Sequence, residues 1–115
     1  MNYIAQNDLK ITLKEKSKSH RVYIKNISHI QSSGYLSSVY FINGKTPITV
    51  SKLLKEFEVD LSKYEFLRIC RNILVNKQNI QTIQNSNTRI ITMVGGENLT
   101  ISCRNYPKIN RILRK

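Results

Sequence analysis

The segment FLRICRNILVN, residues 66–76, decides the fold, because a strand-like apolar rhythm runs into arginine and asparagine and then resumes. Successive side chains of a strand point to opposite faces, so unbroken alternation would bury Arg71 beside Ile69. Burying an unpaired arginine is costly. The segment therefore predicts two core strands joined by a turn or bulge near Cys70 to Asn72, with Arg71 and Asn72 facing outward.

The composition of the chain predicts a single globular domain with an anionic partner. Its 115 residues suffice for one core. Nineteen lysines and arginines against seven acidic residues give a net charge of +12 and a pI of about 10.0. Such an excess repels itself and is typical of proteins that meet nucleic acid, an anionic membrane or an acidic protein. Residues 66–115 carry nine of the cations and only Glu97, which predicts that the partner meets this half.

The chain shows no apolar run long enough to cross a membrane, and its N-terminus, MNYIAQNDLK, lacks the apolar segment of a signal peptide. These features predict a cytoplasmic protein in which Cys70 and Cys103 are reduced thiols. Two cysteines without clustered histidines do not supply the four ligands of a zinc site. We therefore expect neither a metal nor a cofactor.

Apolar alternation and turn residues predict a mostly β protein of about eight to ten short strands. Asp8–Lys14 alternates as a strand, and Glu15–His20 reads as a charged turn. Asn43-Gly44 is a strong hairpin signal, with Pro47–Val50 as the return strand. Gly95-Gly96 predicts another turn. Further strands are expected over residues 21–24, 27–32, 36–42, 80–83, 89–94 and 99–102.

Two helices are predicted. Ser51 suits the N-cap of a mid-chain helix, whose apolar face comprises Leu53, Leu54, Phe57 and Leu61. A second helix begins near Arg104 to Tyr106, because Pro107 is tolerated only in a first turn. Its apolar face comprises Tyr106, Ile109, Ile112 and Leu113.

No catalytic constellation is found. His20 and His29 lie near predicted strand ends without a carboxylate at useful spacing. Gly95-Gly96 is not followed by a helix that could complete a phosphate-binding loop. Cys70 has no histidine partner that would make it a nucleophile. The sequence therefore predicts a protein that is not an enzyme.

The central segment resembles the signature of the LytTR family of bacterial DNA-binding domains, approximately F-x-R-x-H-R-S-y-x-V-N-x-x-x-I. The matching positions are Phe66, Arg68, Arg71, Val75, Asn76 and Ile80. Asn26–Gly34 is similar to the family's upstream strand and glycine loop, Ser51–Leu61 to its helix, and Ser102–Arg104 to the S-R element before the last helix. The resemblance covers about residues 20–115, with residues 1–19 as an N-terminal strand or extension. The chain departs from the signature at Cys70, Asn72 and Ile73, where the family commonly has His, Ser and Tyr.

The resemblance implies an elongated arrangement of small, mainly antiparallel sheets that presents loops to the major groove of double-stranded DNA. It implies a transcription regulator that binds direct repeats in promoters, with a second copy beside the first, and bends the duplex. By position, the implied DNA-binding residues are Tyr35, Ser37, Arg71, Asn72, Arg104, Asn105 and Lys108. Additional phosphate contacts are expected at Arg68, Lys77 and Arg111.

Several alternatives stay open at this point. Arg68 equally suits a structural ion pair with Glu65 or Glu97, Tyr35 suits packing at a loop end, and the basic C-terminal helix suits a solvated face. Cys70 and Cys103 flank predicted contact arginines, which allows the hypothesis of a redox switch.

The wider role of the protein also has alternatives. Only about twenty residues precede the matching region, so we expect no receiver domain and interpret the chain as a stand-alone regulator or a fragment of a longer one. A separate signalling partner would then carry the signal. A small RNA-binding or ribosome-associated protein is one alternative, although no aromatic pair marks an RNA-binding strand. A protein-interaction module with an acidic or membrane partner is another.

Overall fold

The computed structural model describes residues 9–84, 89–102, 104 and 106–113, and this part of the chain contains ten strands and two α-helices. The strands are Lys10–Glu15 (β1), Lys18–Tyr23 (β2), Ile27–Ser33 (β3), Leu36–Phe41 (β4), Ile48–Val50 (β5), Phe66–Cys70 (β6), Ile73–Asn76 (β7), Ile80–Ile83 (β8), Ile90–Met93 (β9) and Asn98–Thr100 (β10). The helices are Leu54–Asp60 (α1) and Tyr106–Leu113 (α2). Short 3-10 turns span Ile24–Asn26, Ser62–Tyr64 and Lys77–Asn79.

The strands form three antiparallel sheets. β1 and β2 make a hairpin, the central sheet has the order β5-β4-β3-β7-β6, and β8 to β10 form a third sheet of order β10-β9-β8. The predicted mostly β fold with a mid-chain and a C-terminal helix is confirmed. The described part of the molecule measures 43 × 43 × 25 Å, so it is flat.

The central sheet separates two hydrophobic cores, because neighbouring residues of a strand point to opposite faces. Leu74 of β7 lies in the first core and Val75 in the second. The first core also receives α1 and the β1–β2 hairpin; its buried members are Leu13, Ile24, Ile27, Ile30, Val39, Phe41, Val50, Leu54, Phe57, Leu61, Phe66 and Leu74. The second receives α2 and the third sheet; its buried members are Ile69, Val75, Ile91, Met93, Leu99, Ile101 and Ile109.

The β6–β7 hairpin follows the prediction from its alternation. Arg68 pairs with Leu74 and Cys70 with Ile73, so Ile69 is an extra residue that bulges out of the register. The bulge keeps Ile69 buried in the second core while the chain turns through Arg71 and the next residue, both of which are exposed. The predicted turn with an outward arginine is confirmed.

Two predicted turns differ from the structure. Glu15–His20 is not a long charged turn, because the strands continue to a two-residue turn at Lys16-Ser17. Asn43-Gly44 is not a tight hairpin turn either, since residues 42–47 connect β4 to β5. The asparagine accepts a hydrogen bond from the backbone N–H of Lys45 at 3.3 Å, which stabilises a longer loop.

The start of the mid-chain helix also differs from the prediction. Ser51 is not its N-cap, because α1 begins three residues later with Leu53 in the capping position. The backbone N–H of Leu53 donates to the carboxylate of Glu56 at 2.9 Å, so a side chain inside the helix satisfies this donor. Leu53 is 47% exposed and does not belong to the apolar face, whereas Leu54 and Phe57 are buried as predicted.

The proposed division of the chain at residue 19 falls within the β1–β2 hairpin. All six residues of β1 pair with β2, and Leu13 is buried in the first core. Residues 10–23 therefore pack as one unit against the central sheet. Residues 1–8 lie outside the described part of the chain.

Candidate nucleic-acid interface

The β6–β7 turn, here called the corner and comprising Cys70, Arg71 and Asn72, is held by the side chain of Arg68. Its Nε donates to the carbonyl of Cys70 at 3.2 Å, and one terminal nitrogen donates to the carbonyl of Arg71 at 2.5 Å. The other terminal nitrogen pairs with the carboxylate of Glu58 in α1 at 2.9 Å. Arg68 thus fixes the backbone that presents Arg71 to solvent.

The β3–β4 turn presents the second predicted contact region. Gly34 has φ of +63°, a left-handed conformation that glycine adopts without strain. The following residue, Tyr35, is 85% exposed, so it does not pack at the loop end. The aromatic ring and its hydroxyl project freely from this turn.

Backbone hydrogen bonds bring the three predicted regions to one end of the central sheet. The N–H of Ser32, just before the Gly34 turn, donates to the carbonyl of Asn72 in the corner at 2.9 Å. The N–H of Ser102, just before Arg104, donates to the carbonyl of Ile69 at 3.0 Å. This end of the sheet carries Tyr35, the corner and Arg104. We call it the loop end.

The approach to α2 places several cations in solvent. Arg104 is exposed, and so are Lys108 and Arg111 of α2; Lys108 borders a groove between α2 and β6 that Glu58 and Arg68 also line. The described helix confirms the predicted amphipathic pattern. Asn105, predicted to contact DNA, lies outside the described residues.

Three predicted site residues have other surroundings than expected. Ser37 is fully buried, and its hydroxyl donates to the carbonyl of Lys52 at 2.5 Å, so its side chain cannot reach a ligand and instead ties β4 to the segment before α1. Lys77 follows β7 at the end opposite the corner, where its Nζ lies 3.8 Å from Glu65. Arg68 pairs with Glu58, ten residues earlier in sequence, and not with either carboxylate predicted for it.

Arg89 is a candidate that the sequence interpretation missed. Its carbonyl accepts from the N–H of Ile101 at 2.9 Å, which places it beside the chain that leads to Arg104. Its guanidinium stacks 4.8 Å from the ring centre of Tyr106, the first residue of α2. Arg89 also has φ of +55°, an uncommon conformation for a residue with a side chain. The sequence indicated only that Arg89 begins the predicted strand over residues 89–94. No local pattern connects Arg89 to Tyr106.

Cys70 is half-buried, and its thiol donates to the side-chain carbonyl of Asn72 at 3.1 Å. Cys103 lies outside the described residues, so the predicted approach of the two sulfurs stays a prediction.

The two histidines differ from their predicted settings. His20 does have a carboxylate nearby, because Nε2 lies 3.1 Å from Glu15 across the hairpin. His29 is buried in the middle of β3, where it stacks on Tyr40 at 4.6 Å and shares a 3.0 Å hydrogen bond with Ser28. Burial lowers the pKa of His29 below 6.5, and the charge of Glu97 opposes this shift in part.

Within the described ranges, no three His, Cys, Asp or Glu side chains cluster closely enough to hold a metal ion. Neither described helix is long and apolar enough to cross a membrane. The residues that the structure does bring together are cationic, aromatic and amide side chains on turns.

A β scaffold with a basic end built from turns suits an anionic ligand, and comparisons with known proteins identify the class as a DNA-binding domain. The LytTR family pattern, described as the LytTr DNA-binding domain, matches residues 17–114. The solved LytTr DNA-binding domain of a Bacillus cereus protein described as a methyl-accepting/DNA response regulator shares the fold, with a TM-score of 0.74 and 24% identity. The match covers 91% of this chain and 95% of that one. A search of curated proteins found no match.

The family match spans most of the chain. The protein therefore belongs to the LytTR family of DNA-binding domains. This family membership describes a binding module and not a catalytic one.

Proposed function

We propose that the protein is a non-catalytic transcription regulator that binds double-stranded DNA sequence-specifically through the loop end of its central sheet. The observation that carries this proposal is the convergence of the corner, the Tyr35 turn and Arg104 at that end, through the hydrogen bonds of Ser32 and Ser102. These turns come from distant parts of the sequence, and each ends in an exposed polar or cationic side chain.

In this proposal base recognition comes from Arg71 and Arg104. A guanidinium can donate two parallel hydrogen bonds to O6 and N7 of guanine in the major groove. Recognition of this kind needs a rigid base for the side chain, which Arg68 supplies at the corner. Asn72 and Asn105 would add amide donors and acceptors, and the exposed Tyr35 hydroxyl would reach phosphate or sugar.

Lys108 and Arg111 have a different proposed role. Both are exposed on α2, where we expect them to contact phosphates and not base edges. Lys77 lies far from the loop end. It can contact the duplex only if the DNA bends around the protein. We further propose that the duplex bends, that promoter sites are direct repeats, and that a second copy occupies the neighbouring repeat. A separate partner would supply the regulatory signal.

The test separates base recognition from charge attraction. A duplex site is selected from a random library with the wild-type protein, and competition assays then compare it with a scrambled duplex. Arg104→Ala should cost about 1–3 kcal/mol on the selected duplex and less on the scrambled one. Lys108→Ala should weaken both duplexes alike and reduce the slope of log affinity against log salt by about one unit.

Circular dichroism of both variants controls for folding. Equal weakening of the two duplexes by Arg104→Ala would make Arg104 a phosphate contact and leave specificity to Tyr35 and Arg71. Failure to select any duplex site would contradict the proposal as a whole. Tighter binding of single-stranded RNA than of any duplex would favour the RNA-binding alternative.

A further inference from the structure

The β1–β2 hairpin carries a strongly cationic surface that none of the predicted contacts includes. Residues 10–25 contain six cations against one carboxylate, a net charge of +5; the cations are Lys10, Lys14, Lys16, Lys18, Arg21 and Lys25. Such a concentration of like charge opposes folding unless an anion neutralises it.

Strand alternation separates the charges of this hairpin. Ile11, Leu13 and Val22 face the first core and attach the hairpin to the molecule. Glu15 is half-buried on the same side and pairs with His20. The opposite side, here called the outer hairpin face, is exposed; it comprises Lys10, Thr12, Lys14, Ser19, Arg21 and Tyr23. It contains cations, hydroxyls and one aromatic ring, and within the described ranges no carboxylate pairs with its cations.

The tip of the hairpin has an unfavourable residue for its backbone. Lys16 has φ of +55° in the two-residue turn, where glycine is strongly preferred. A lysine in this conformation costs stability that glycine would not. The tip thus carries a cation at a position where glycine would be less strained.

The tip lies next to the loop end of the sheet. Lys14 and Lys16 line one groove together with Val50, Ser51, Lys52 and Glu56, and Val50 pairs with Ser37 at the start of β4. The Glu56 carboxylate accepts from the backbone N–H of Leu53 and forms no ion pair with either lysine. The tip lies beside β5, and the corner ends β6. Four strand spacings of about 4.8 Å separate β5 from β6, so these two strands are about 19 Å apart. That distance is shorter than one turn of duplex, about 34 Å.

We propose that the outer hairpin face and its tip form a second DNA contact, which holds backbone phosphates of the duplex flanking the recognised site. This inference rests on the proposed function and extends it to DNA outside the base contacts. Lysines, arginine and hydroxyls are the groups that contact phosphate without reading sequence. Tyr23 alone is apolar on this face, and it lies under Lys10 at 4.5 Å, so the face lacks the apolar area that a membrane surface contact needs.

The experiment compares the site selected with the wild-type protein, trimmed to its minimal length, with the same site extended by flanking duplex on both sides. Lys14→Gln/Lys16→Gln should bind the extended duplex about tenfold more weakly, with a salt slope smaller by about two units. Its affinity for the trimmed duplex should change less than about twofold. Lys55→Gln/Lys63→Gln removes the same charge outside the hairpin and should leave both affinities close to wild type.

A second variant distinguishes function from structure at the tip. Lys16→Gly should raise the melting temperature, because glycine adopts the turn without strain, and should still weaken binding of the extended duplex. A purely structural role for Lys16 predicts no such loss of binding in a more stable protein.

The outcomes separate this inference from the proposed function. Failure to select any site would contradict the proposed function and, with it, the inference. A selected site that the Lys14/Lys16 variant binds as wild type at both lengths, or more weakly by the same factor at both, would overturn the inference alone. The inference would also be overturned if the wild-type protein bound phosphatidylglycerol vesicles and the Lys14→Gln/Lys16→Gln variant lost this binding while it kept all duplex binding. That result would assign the face to a membrane.

Discussion

Arg68 is a cation whose side chain acts on the backbone of the corner. Three of its five N–H donors are directed to Glu58 and to the carbonyls of Cys70 and Arg71. Its side chain is 30% exposed, so the ion pair is partly screened by water. The carbonyl contacts therefore matter more than the charge pair for the shape of the corner.

Arg68→Met should lower the free energy of unfolding by about 1–2 kcal/mol, because two hydrogen bonds to backbone carbonyls and one ion pair are lost. Affinity for duplex DNA should fall while the salt slope stays unchanged, since the loss is in the placement of Arg71. Urea unfolding and a salt series of binding measurements give the two quantities. Glu58→Gln is the control and should cost less than about 1 kcal/mol. A salt slope that falls by about one unit in Arg68→Met would instead make Arg68 a phosphate contact.

Among the elements, β7 owes its position to an asparagine that the family signature contains. Asn76 is 1% exposed, and its amide donates to the carbonyls of Ile24 at 3.3 Å and Ile27 at 3.0 Å. Its side-chain oxygen accepts from the N–H of Gln78 at 3.1 Å. Asn79 donates to the carbonyl of Ile27 as well, at 2.7 Å. Together they join the end of β7 to the 3-10 turn before β3.

Asn76→Ala should lower the free energy of unfolding by about 2–4 kcal/mol, because it leaves buried backbone groups without a partner. Denaturant unfolding followed by circular dichroism gives this value. Asn43→Ala is a matched control, because Asn43 makes one exposed hydrogen bond in a loop and should cost less than about 1 kcal/mol. Similar small losses in both variants would show that Asn76 does not hold the two segments together.

At the scale of the whole molecule, the two cores meet through a thin central sheet that contains a buried histidine. His29 lies in β3 between β4 and β7, stacks on Tyr40, and has a pKa below 6.5 because of burial. The neutral form is therefore favoured in the folded protein. Protonation couples to global unfolding, since the unfolded chain binds the proton more readily.

Stability should accordingly be full above about pH 6.5 and should decline as the pH falls from there towards the lowered pKa of folded His29. Urea unfolding at a series of pH values from 7.5 to about 5.5 measures the decline. His29→Phe keeps a ring against Tyr40 and should flatten the dependence, whereas His20→Gln should retain it. An unchanged pH dependence in His29→Phe would assign the decline to other groups.

Much of the fold was predictable because its signals are local. Alternation in residues 66–76 predicted the β6–β7 hairpin and the outward Arg71, since burying an unpaired arginine is costly wherever the strand lies. Helical periodicity likewise predicted the apolar faces of both helices, except that Leu53 is exposed. Helix and turn ends were less predictable: Ser51 has the chemistry of a cap, but the chain satisfies the first helical donors with Glu56 instead.

The candidate site was predictable only in outline. Family positions indicated the corner, the Tyr35 turn and Arg104, and these three converge at one end of the sheet. The same reasoning selected Ser37, which is buried, and omitted Arg89, which stacks on Tyr106. A residue's exposure and its nonlocal neighbours depend on which strands pair and which sheets stack over it, and the pattern of its own segment does not specify that arrangement.

The sequence by itself determined the β character, the two amphipathic helices, the cationic surface and the exposed arginine at the corner. Periodicity, turn preference and net charge are properties of neighbouring residues, so they are present before the chain folds. Only the tertiary structure decided that Arg68 pairs with Glu58 and that Asn76 holds the carbonyl of Ile24, 52 residues away. It also decided that the cationic hairpin tip lies beside the loop end of the sheet. Contacts of this kind depend on how strands pair and sheets stack over the two cores, and that arrangement is a property of the whole chain.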